Sequence, residues 1–304
     1  MQTRPPFAPT TIGVLGLGSM GAGVAADLRN SGFTVVSALE GRSAATRERA
    51  EKAGVRVLSS LGEVIAQADT FLSIVPADQA EPLAHAVAAR LAGKSLHYVD
   101  CNSITPSKTL RIAKAVEAAG AHYSDGGIIG PPPGGKMKTR LYVSGPYRDV
   151  LTKLASEHMP VLPLGDGLTE ATEMKVLFSA ANKGATALLA NVLAAAAKVG
   201  LLDRVVGELD AVRPGLLGCV RSSAPELGSK AARWAVEMTD LAEGLADMGV
   251  NGDYHRAAKD SYARLAANLD GLSGDGDALA RVLEAWAGPK RVEASSTSTC
   301  AHRA

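Results

Sequence analysis

The sequence predicts an α/β protein, a doubly wound parallel sheet followed by an all-α domain. Two patterns in the 304 residues carry that expectation. From Thr11 onward, short β-branched runs alternate with longer amphipathic stretches, as they do in a parallel sheet covered on both faces. After Gly167 the strand signals stop, and alanine-rich helical patterns continue to about Trp286. Hydrophobic residues make up 46% and charged residues 21%, enough for a sizeable core and too apolar for wholesale disorder.

The expected strands are Thr11–Gly16, Thr34–Leu39, Val55–Leu58, Thr70–Val75, Ser95–Asp100, Ala121–Asp125 and Arg140–Gly145. GVLG and FLSIV are continuously apolar, which suits strands buried on both sides. The first helix places Met20, Val24, Ala25 and Leu28 on one face. Gly165, Asp166 and Gly167 mark the junction between domains. Beyond it, Leu177, Ala181, Ala185, Leu188, Val192 and Ala196 line one face of a long helix, widened by Phe178, Leu189 and Leu193. So broad a stripe needs cover from other helices or from a second subunit. The expected organisation is a disordered start at 1–10, a first domain at 11–167, a helical domain at 168–288 and a disordered tail at 289–304.

Charge and cysteine usage exclude several functions. Lysine plus arginine (32) balances aspartate plus glutamate (31), which gives no electrostatic reason for a nucleic-acid or anionic-membrane partner. Cys101, Cys219 and Cys300 lie far apart and form no CxxC pair, so neither a disulfide framework nor a metal site is expected. The opening MQTRPPFAPT lacks the apolar core of a signal peptide. The apolar run Gly184–Ala197, set between Lys183 and Lys198, is too short for a bilayer and reads as a buried helix. A soluble, cytoplasmic protein is expected.

The first strand runs straight into Gly16-Leu17-Gly18-Ser19-Met20-Gly21 and then into a helix. Gly16 permits the tight turn, Gly18 lets a pyrophosphate approach the backbone, and Gly21 allows close helix–strand packing. The helix N-terminus adds free N–H groups and a positive dipole end. This is the dinucleotide fingerprint of a Rossmann domain. The plainer readings are a tight turn alone or a different nucleotide such as FAD. At the end of the second strand, Glu40 suits the ribose 2′-OH of NAD, whereas Arg42, Ser43 and Arg47 suit the 2′-phosphate of NADP. NADP is favoured, with NAD as the alternative. Ser43 also reads as a helix N-cap and Arg42 as a solvated charge.

Taken together, GLGSMG, IVPADQA at 74–80, DCNSITP at 100–106 and a lysine opening a long helix at Lys175 resemble the β-hydroxyacid dehydrogenase superfamily. That superfamily includes 3-hydroxyisobutyrate and 6-phosphogluconate dehydrogenases, with imine reductases as relatives. The resemblance covers roughly residues 11–200. The stretch from Arg233 to Val250 is similar to the C-terminal domain of phosphogluconate-dehydrogenase-like proteins of unassigned substrate.

The resemblance implies that Val75 and Pro76 line the cofactor cleft. It also brings Asn102 and Ser103 to nicotinamide and substrate, and makes Lys175 the proton donor or acceptor for a substrate hydroxyl. Independently, polar groups just past a strand's carboxyl end are where open α/β sheets bind ligands. Asn102, Ser103 and Thr105 have a second reading as a turn and cap before Pro106. A lysine titrates near about 10.4, so it acts as a base near neutrality only where its surroundings lower that value. Lys175, Ser179, Asn182 and Thr186 recur at helical spacing beside Lys183, a polar stripe that also fits a solvated face.

The chain departs from the family at Phe178 and Ser179, where asparagines are usual, and Asn182 stands one turn later. The family's substrate loop falls near Asp125–Gly130, including Gly127, and is followed here by Pro131-Pro132-Pro133-Gly134-Gly135. That points to a more apolar substrate, with Lys136, Lys138 and Arg140 either recognising an anion or merely solvated. The resulting expectation is a nicotinamide-dependent oxidoreductase for a small hydroxy acid or related carbonyl compound, dimeric through its C-terminal helices. The rivals are an imine reductase, a class that often carries aspartate or tyrosine at the Lys175 place, and a non-catalytic dinucleotide-binding sensor.

Overall fold

The computed structural model describes residues 10–269 and 277–288. The two ends expected to be disordered lie outside them, Thr10 excepted. The first part alternates strands and helices: β1 (Thr11–Leu15), α1 (Ser19–Asn30), β2 (Thr34–Ala38), α2 (Ala44–Lys52), β3 (Arg56–Leu58), α3 (Leu61–Gln67), β4 (Thr70–Ser73), α4 (Ala77–Ala88), β5 (His97–Asp100), α5 (Pro106–Ala118) and β6 (His122–Ile129). Then come β7 (Arg140–Ser144), α6 (Arg148–Leu151) and β8 (Val161–Pro163). The chain ends in α7 (Glu170–Lys198), α8 (Leu202–Val212), α9 (Gly218–Asp247), α10 (Asp253–Leu269) and α11 (Ala278–Ala287).

The strands form one sheet in the order β3-β2-β1-β4-β5-β6-β7-β8. Each pair is parallel except β6 with β7. The order reverses between β1 and β4, the crevice where ligands sit in such sheets. Side chains alternate across β1: Ile12 and Val14 join a buried cluster with Val24, Ala25 and Leu28, while Leu15 joins Val64, Ile65, Ala80 and Ile112 on the other. Each fully buried aliphatic of this kind stabilises the fold by about 1.5–3 kcal/mol. Phe71, Tyr98 and Tyr123 are register partners on β4, β5 and β6, and their rings stack at 5.5 and 6.4 Å.

Two strand expectations change. β6 runs to Ile129 instead of ending at Asp125, because its second half pairs with antiparallel β7, from Asp125↔Ser144 to Ile129↔Arg140. Asp125 therefore lies inside a strand. β8 is three residues long and contains Pro163, as a sheet-edge strand can, which left it without a sequence signal.

Packing divides the chain into two compact units. One holds the described residues up to Ala180 with Asp240–Gly252; the other holds Ala181–Thr239 with the described residues from Asp253 on. The expected junction at Gly165–Gly167 marks the change from strands to helices, while the compact division follows side-chain packing further along α7. In the first unit a Cβ on Gly244 would lie 2.9 Å from Val176, so α9's last turns rest on α7's first. In the second, Tyr262 and Tyr254 hydroxyls donate to the carbonyls of Lys183 and Gly184 at 2.8 and 2.7 Å. Trp234, Tyr262 and Trp286 meet edge to face at 5.5 and 5.3 Å.

The face of α7 also needs correction. Leu177, Phe178, Ala181, Leu188 and Val192 are exposed, whereas Ala180, Gly184, Ala187, Ala190 and Ala194 are buried beside Leu189, Leu193 and Ala196. Small residues permit the closer approach, so the alanine and glycine ridge takes the interior and the bulkier stripe faces out. This 29-residue helix is long and apolar enough to cross a membrane by length and composition alone, because it includes both lysines that bounded the apolar run. Core helices of soluble proteins meet the same measure, and Thr186 and Ala190 are completely buried.

Candidate active site

The glycine loop leaves β1 with Gly16 at φ +96°, and a Cβ there would lie 2.1 Å from the carbonyl oxygen of Ile74. Gly18 N donates to Gly16 O at 2.8 Å, and Gly18 then caps α1 with no side chain of its own. A Cβ at Gly18 would meet nothing within 4 Å, while one at Gly21 would lie 2.2 Å from Gly16 O. Open space stands in front of the first-turn N–H groups, and no acidic side chain occupies that turn. This is a cradle for an anion, and it fits a dinucleotide pyrophosphate. Ser19 is exposed there, but Leu17 and Met20 point their side chains into or against the core, leaving the loop only their backbone. Sequence reasoning missed Arg49, whose Nε donates to Leu17 O at 3.1 Å from 32 residues away.

At the end of β2, Glu40, Arg42 and Ser43 are all exposed. Ser43 is the N-cap of α2, its Oγ accepting from Thr46 N at 3.3 Å. Arg47 holds the carbonyl of Leu39 at 3.0 Å. Glu40 and Arg42 thus stand exposed together just past the end of β2, with Arg47 engaged in the turn.

Asn102 pins the carboxyl ends of β4 and β5 together. Its Oδ1 accepts from Val75 N at 2.6 Å, and its Nδ2 donates to Ser73 Oγ at 2.8 Å and to Asp100 Oδ1 at 2.6 Å. The residue is 2% exposed. Both amide protons are spent inside the protein, so the side chain expected to touch ligand serves as scaffold. Ser103 is the exposed member of DCNSITP, and Pro76 is exposed beside buried Val75. Thr105 caps α5, accepting from Lys108 N at 3.4 Å, with Pro106 at the first helical position. Gly127 is buried too, and a Cβ on it would lie 2.4 Å from Ala171 O. Its missing side chain makes room for α7, not for substrate.

Lys175 stands over this edge. Its Nζ donates to Asn102 O at 3.4 Å, and its charge acts on Asp100 and Asp125, register partners on β5 and β6. Burial pushes the Asp100 carboxyl up to about 6, against the lowering pull of Asn102's backbone and side-chain hydrogen bonds and of Lys175. Burial likewise pushes Asp125 up to about 7, against two hydrogen bonds from Thr172 and the Lys175 charge, with Asp100 adding to the rise. Cys101, between them, is pushed up by burial and stays a thiol. Lys175 and two buried carboxyls thus stand together at the carboxyl edge of the sheet. Neither aspartate was identified from sequence, because only strand register brings them side by side.

The other stripe residues separate. Ser179 is half-buried one turn beyond Lys175 on α7, with Phe178 44% exposed. Asn182 belongs to the helical unit, where its carbonyl accepts from Thr186, a fully buried hydroxyl satisfied by its own helix at 2.8 Å. Lys183 pairs with Glu237 and lies 5.6 Å over Trp234. Among the described residues no group of three or more His, Cys, Asp or Glu is placed to hold a metal. Lys136, Lys138 and Arg140 are exposed, and Pro132 packs against Gly23 of α1, where a Cβ would lie 2.8 Å away.

Residues 11–156 match the NAD-binding domain of 6-phosphogluconate dehydrogenase, and residues 196–265 match a domain of unknown function, DUF1932. An uncharacterised 28.5 kDa protein of Methanothermus fervidus is 27% identical over 201 residues, 66% of this chain and 76% of that protein. The 3-hydroxyisobutyrate dehydrogenase of Pseudomonas aeruginosa is 29% identical over 140 residues, 45% of this chain and 46% of the enzyme. The chain thus spans under half the length of that curated dehydrogenase. A conserved hypothetical protein of Sinorhizobium meliloti superposes with a TM-score of 0.71 at 26% identity, covering 90% of this chain and 96% of that one. A Streptomyces aurantiacus imine reductase shares the fold, with a TM-score of 0.55 at 21% identity over 90% and 98% of the two chains.

Proposed function

We propose that this chain, whose residues 11–156 match the NAD-binding domain of 6-phosphogluconate dehydrogenase and which is similar to 3-hydroxyisobutyrate dehydrogenases, moves a hydride between NADP and a small hydroxy acid or related carbonyl compound. The observation that carries this reading is the Lys175 ammonium held at Asn102 O beside two buried carboxyls. Nicotinamide, when bound, accepts or supplies the hydride. Gly16 to Gly21 and the first turn of α1 hold its pyrophosphate. Lys175 Nζ, as the neutral amine, takes the proton of the substrate hydroxyl on oxidation and, as the ammonium, returns it on reduction. Arg42 and Ser43 favour the 2′-phosphate of NADP.

Turnover of 3-hydroxyisobutyrate and other small hydroxy acids, their carbonyl counterparts and cyclic imines, with NADP and NAD, tests this reading. We expect hydroxy-acid or carbonyl turnover that falls about 10²–10⁴-fold in Lys175→Ala, the usual reach of a general acid–base group, with NADPH affinity kept. Arg42→Ala should weaken NADPH binding and spare NADH. Turnover confined to imines would install the reductase reading instead. NADPH binding with no turnover across the panel would make the chain a sensor.

A further inference from the structure

Asp125 is completely buried, and its carboxyl is engaged by α7 and β7. Its Oδ2 accepts from the backbone N–H of Thr172 at 2.7 Å and its Oδ1 from the Thr172 hydroxyl at 2.7 Å. Ser144, its register partner across β7, donates to Oδ2 at 3.4 Å, and the same hydroxyl accepts from Ala171 N at 3.1 Å. Ala171 and Thr172 lie in the first turn of α7, where helix N–H groups have no partner within the helix. The sheet thus supplies acceptors for the first-turn N–H groups of Ala171 and Thr172. At Gly127, two residues on from Asp125, the absent Cβ lets the α7 backbone close onto the strand. Lys175 follows Thr172 by three residues, the same face one turn on.

We propose that Asp125 is a positioning residue that sets Lys175 at the carbonyl of Asn102 by clamping Thr172 in the first turn of α7. The proposal rests on the reading of Lys175 as the proton-transfer group, and it deepens that reading. The clamp does not depend on charge. An ionised carboxyl accepts both Thr172 hydrogens, and a protonated one accepts the N–H while donating to the hydroxyl. Asparagine can do the same, with its amide N–H toward the hydroxyl oxygen. Alanine can do neither.

The test reads the lysine 13Cε resonances of the selectively labelled full chain, with Lys175 assigned through Lys175→Arg, together with amide exchange at Ala171 and Thr172. In Asp125→Ala, exchange should rise at least tenfold, by about the loss of one charge-assisted cap. The Lys175 signal should move to the range of solvent-facing lysines. Thr172→Val should move it part of the way, and Asp125→Asn and Thr172→Ser should leave it in place. A Lys175 signal unmoved in Asp125→Ala, even with faster exchange and a lower Tm, would reduce the clamp to a stability device and overturn the proposal. If Asp125→Ala does not fold, an unmoved signal in Thr172→Val overturns it equally. A shift in Asp125→Asn as large as in Asp125→Ala overturns it too, since charge and not the clamp would then hold the lysine. The spectra need no substrate, so they succeed or fail apart from the proton-transfer reading, which turnover of Lys175→Ala decides.

Discussion

Asp100 and Asp125 are register partners, the last residue of β5 beside the fourth of β6, and both carboxyls are at most 2% exposed. Burial raises them to about 6 and about 7, with Asp100 adding to the rise of Asp125, above the unfolded carboxyl value of about 3.9. Through that interval the folded chain binds more protons than the unfolded one. The two groups therefore contribute stability that is fully present below the unfolded value and is lost as pH rises through the folded values. Each asparagine variant removes its own group from this balance. Compared with the parent in urea melts, Asp125→Asn should gain on the order of 3 kcal/mol between pH 4 and pH 8, and Asp100→Asn somewhat less. A parent-to-variant difference that stays flat across that range would mean that neither carboxyl is protonated by burial.

Two glycines of the phosphate loop should separate folding from binding. Gly16 sits at φ +96° against Ile74 O, where alanine is both strained and obstructed. Gly16→Ala should cost at least about 1–3 kcal/mol, visible as a lower Tm without any ligand. Gly18 has φ −67° and open space, so Gly18→Ala should leave the Tm within about 1–2 °C. The added methyl stands where the pyrophosphate approaches, so NADPH affinity should drop tenfold or more by fluorescence titration. Equal affinity in Gly18→Ala and parent would mean that the dinucleotide lies elsewhere.

The local parts of this design were legible in the sequence. The strand–glycine–helix opening reads correctly because each glycine acts within a few residues of itself, and the place of Lys175 on the long helix was marked by a family pattern. What stayed hidden is set by register and close approach. Asp125 looked like the end of a strand; only pairing with β7 shows that it continues and that its carboxyl meets Thr172, 47 residues away. Asn102 looked like a ligand contact, because the same amide that could bind substrate also spans the gap from Val75 to Asp100. On α7 periodicity found a stripe but not which side is inside. Leucine and alanine stripes both have helical spacing, and the closeness of neighbouring helices selected alanine.

That outward stripe carries the last prediction. Leu188 is 51% exposed and Val192 43%, one turn apart on α7, with Leu177 at 49% about three turns before Leu188. Large aliphatics repeated along one helix face are an expensive way to meet water. They are normal where another helix covers them. A homodimer through this face accounts for them, and sedimentation of the full chain at micromolar concentration should show it. Covering a leucine contributes about 1.5–3 kcal/mol, and in a two-fold interface each side chain counts twice. Leu188→Glu should therefore weaken association by a factor of at least about 100, while the Tm of the monomer changes little because the position is already exposed. A parent that sediments as a monomer, or a Leu188→Glu variant that dimerises as well as the parent, would move the interface away from α7.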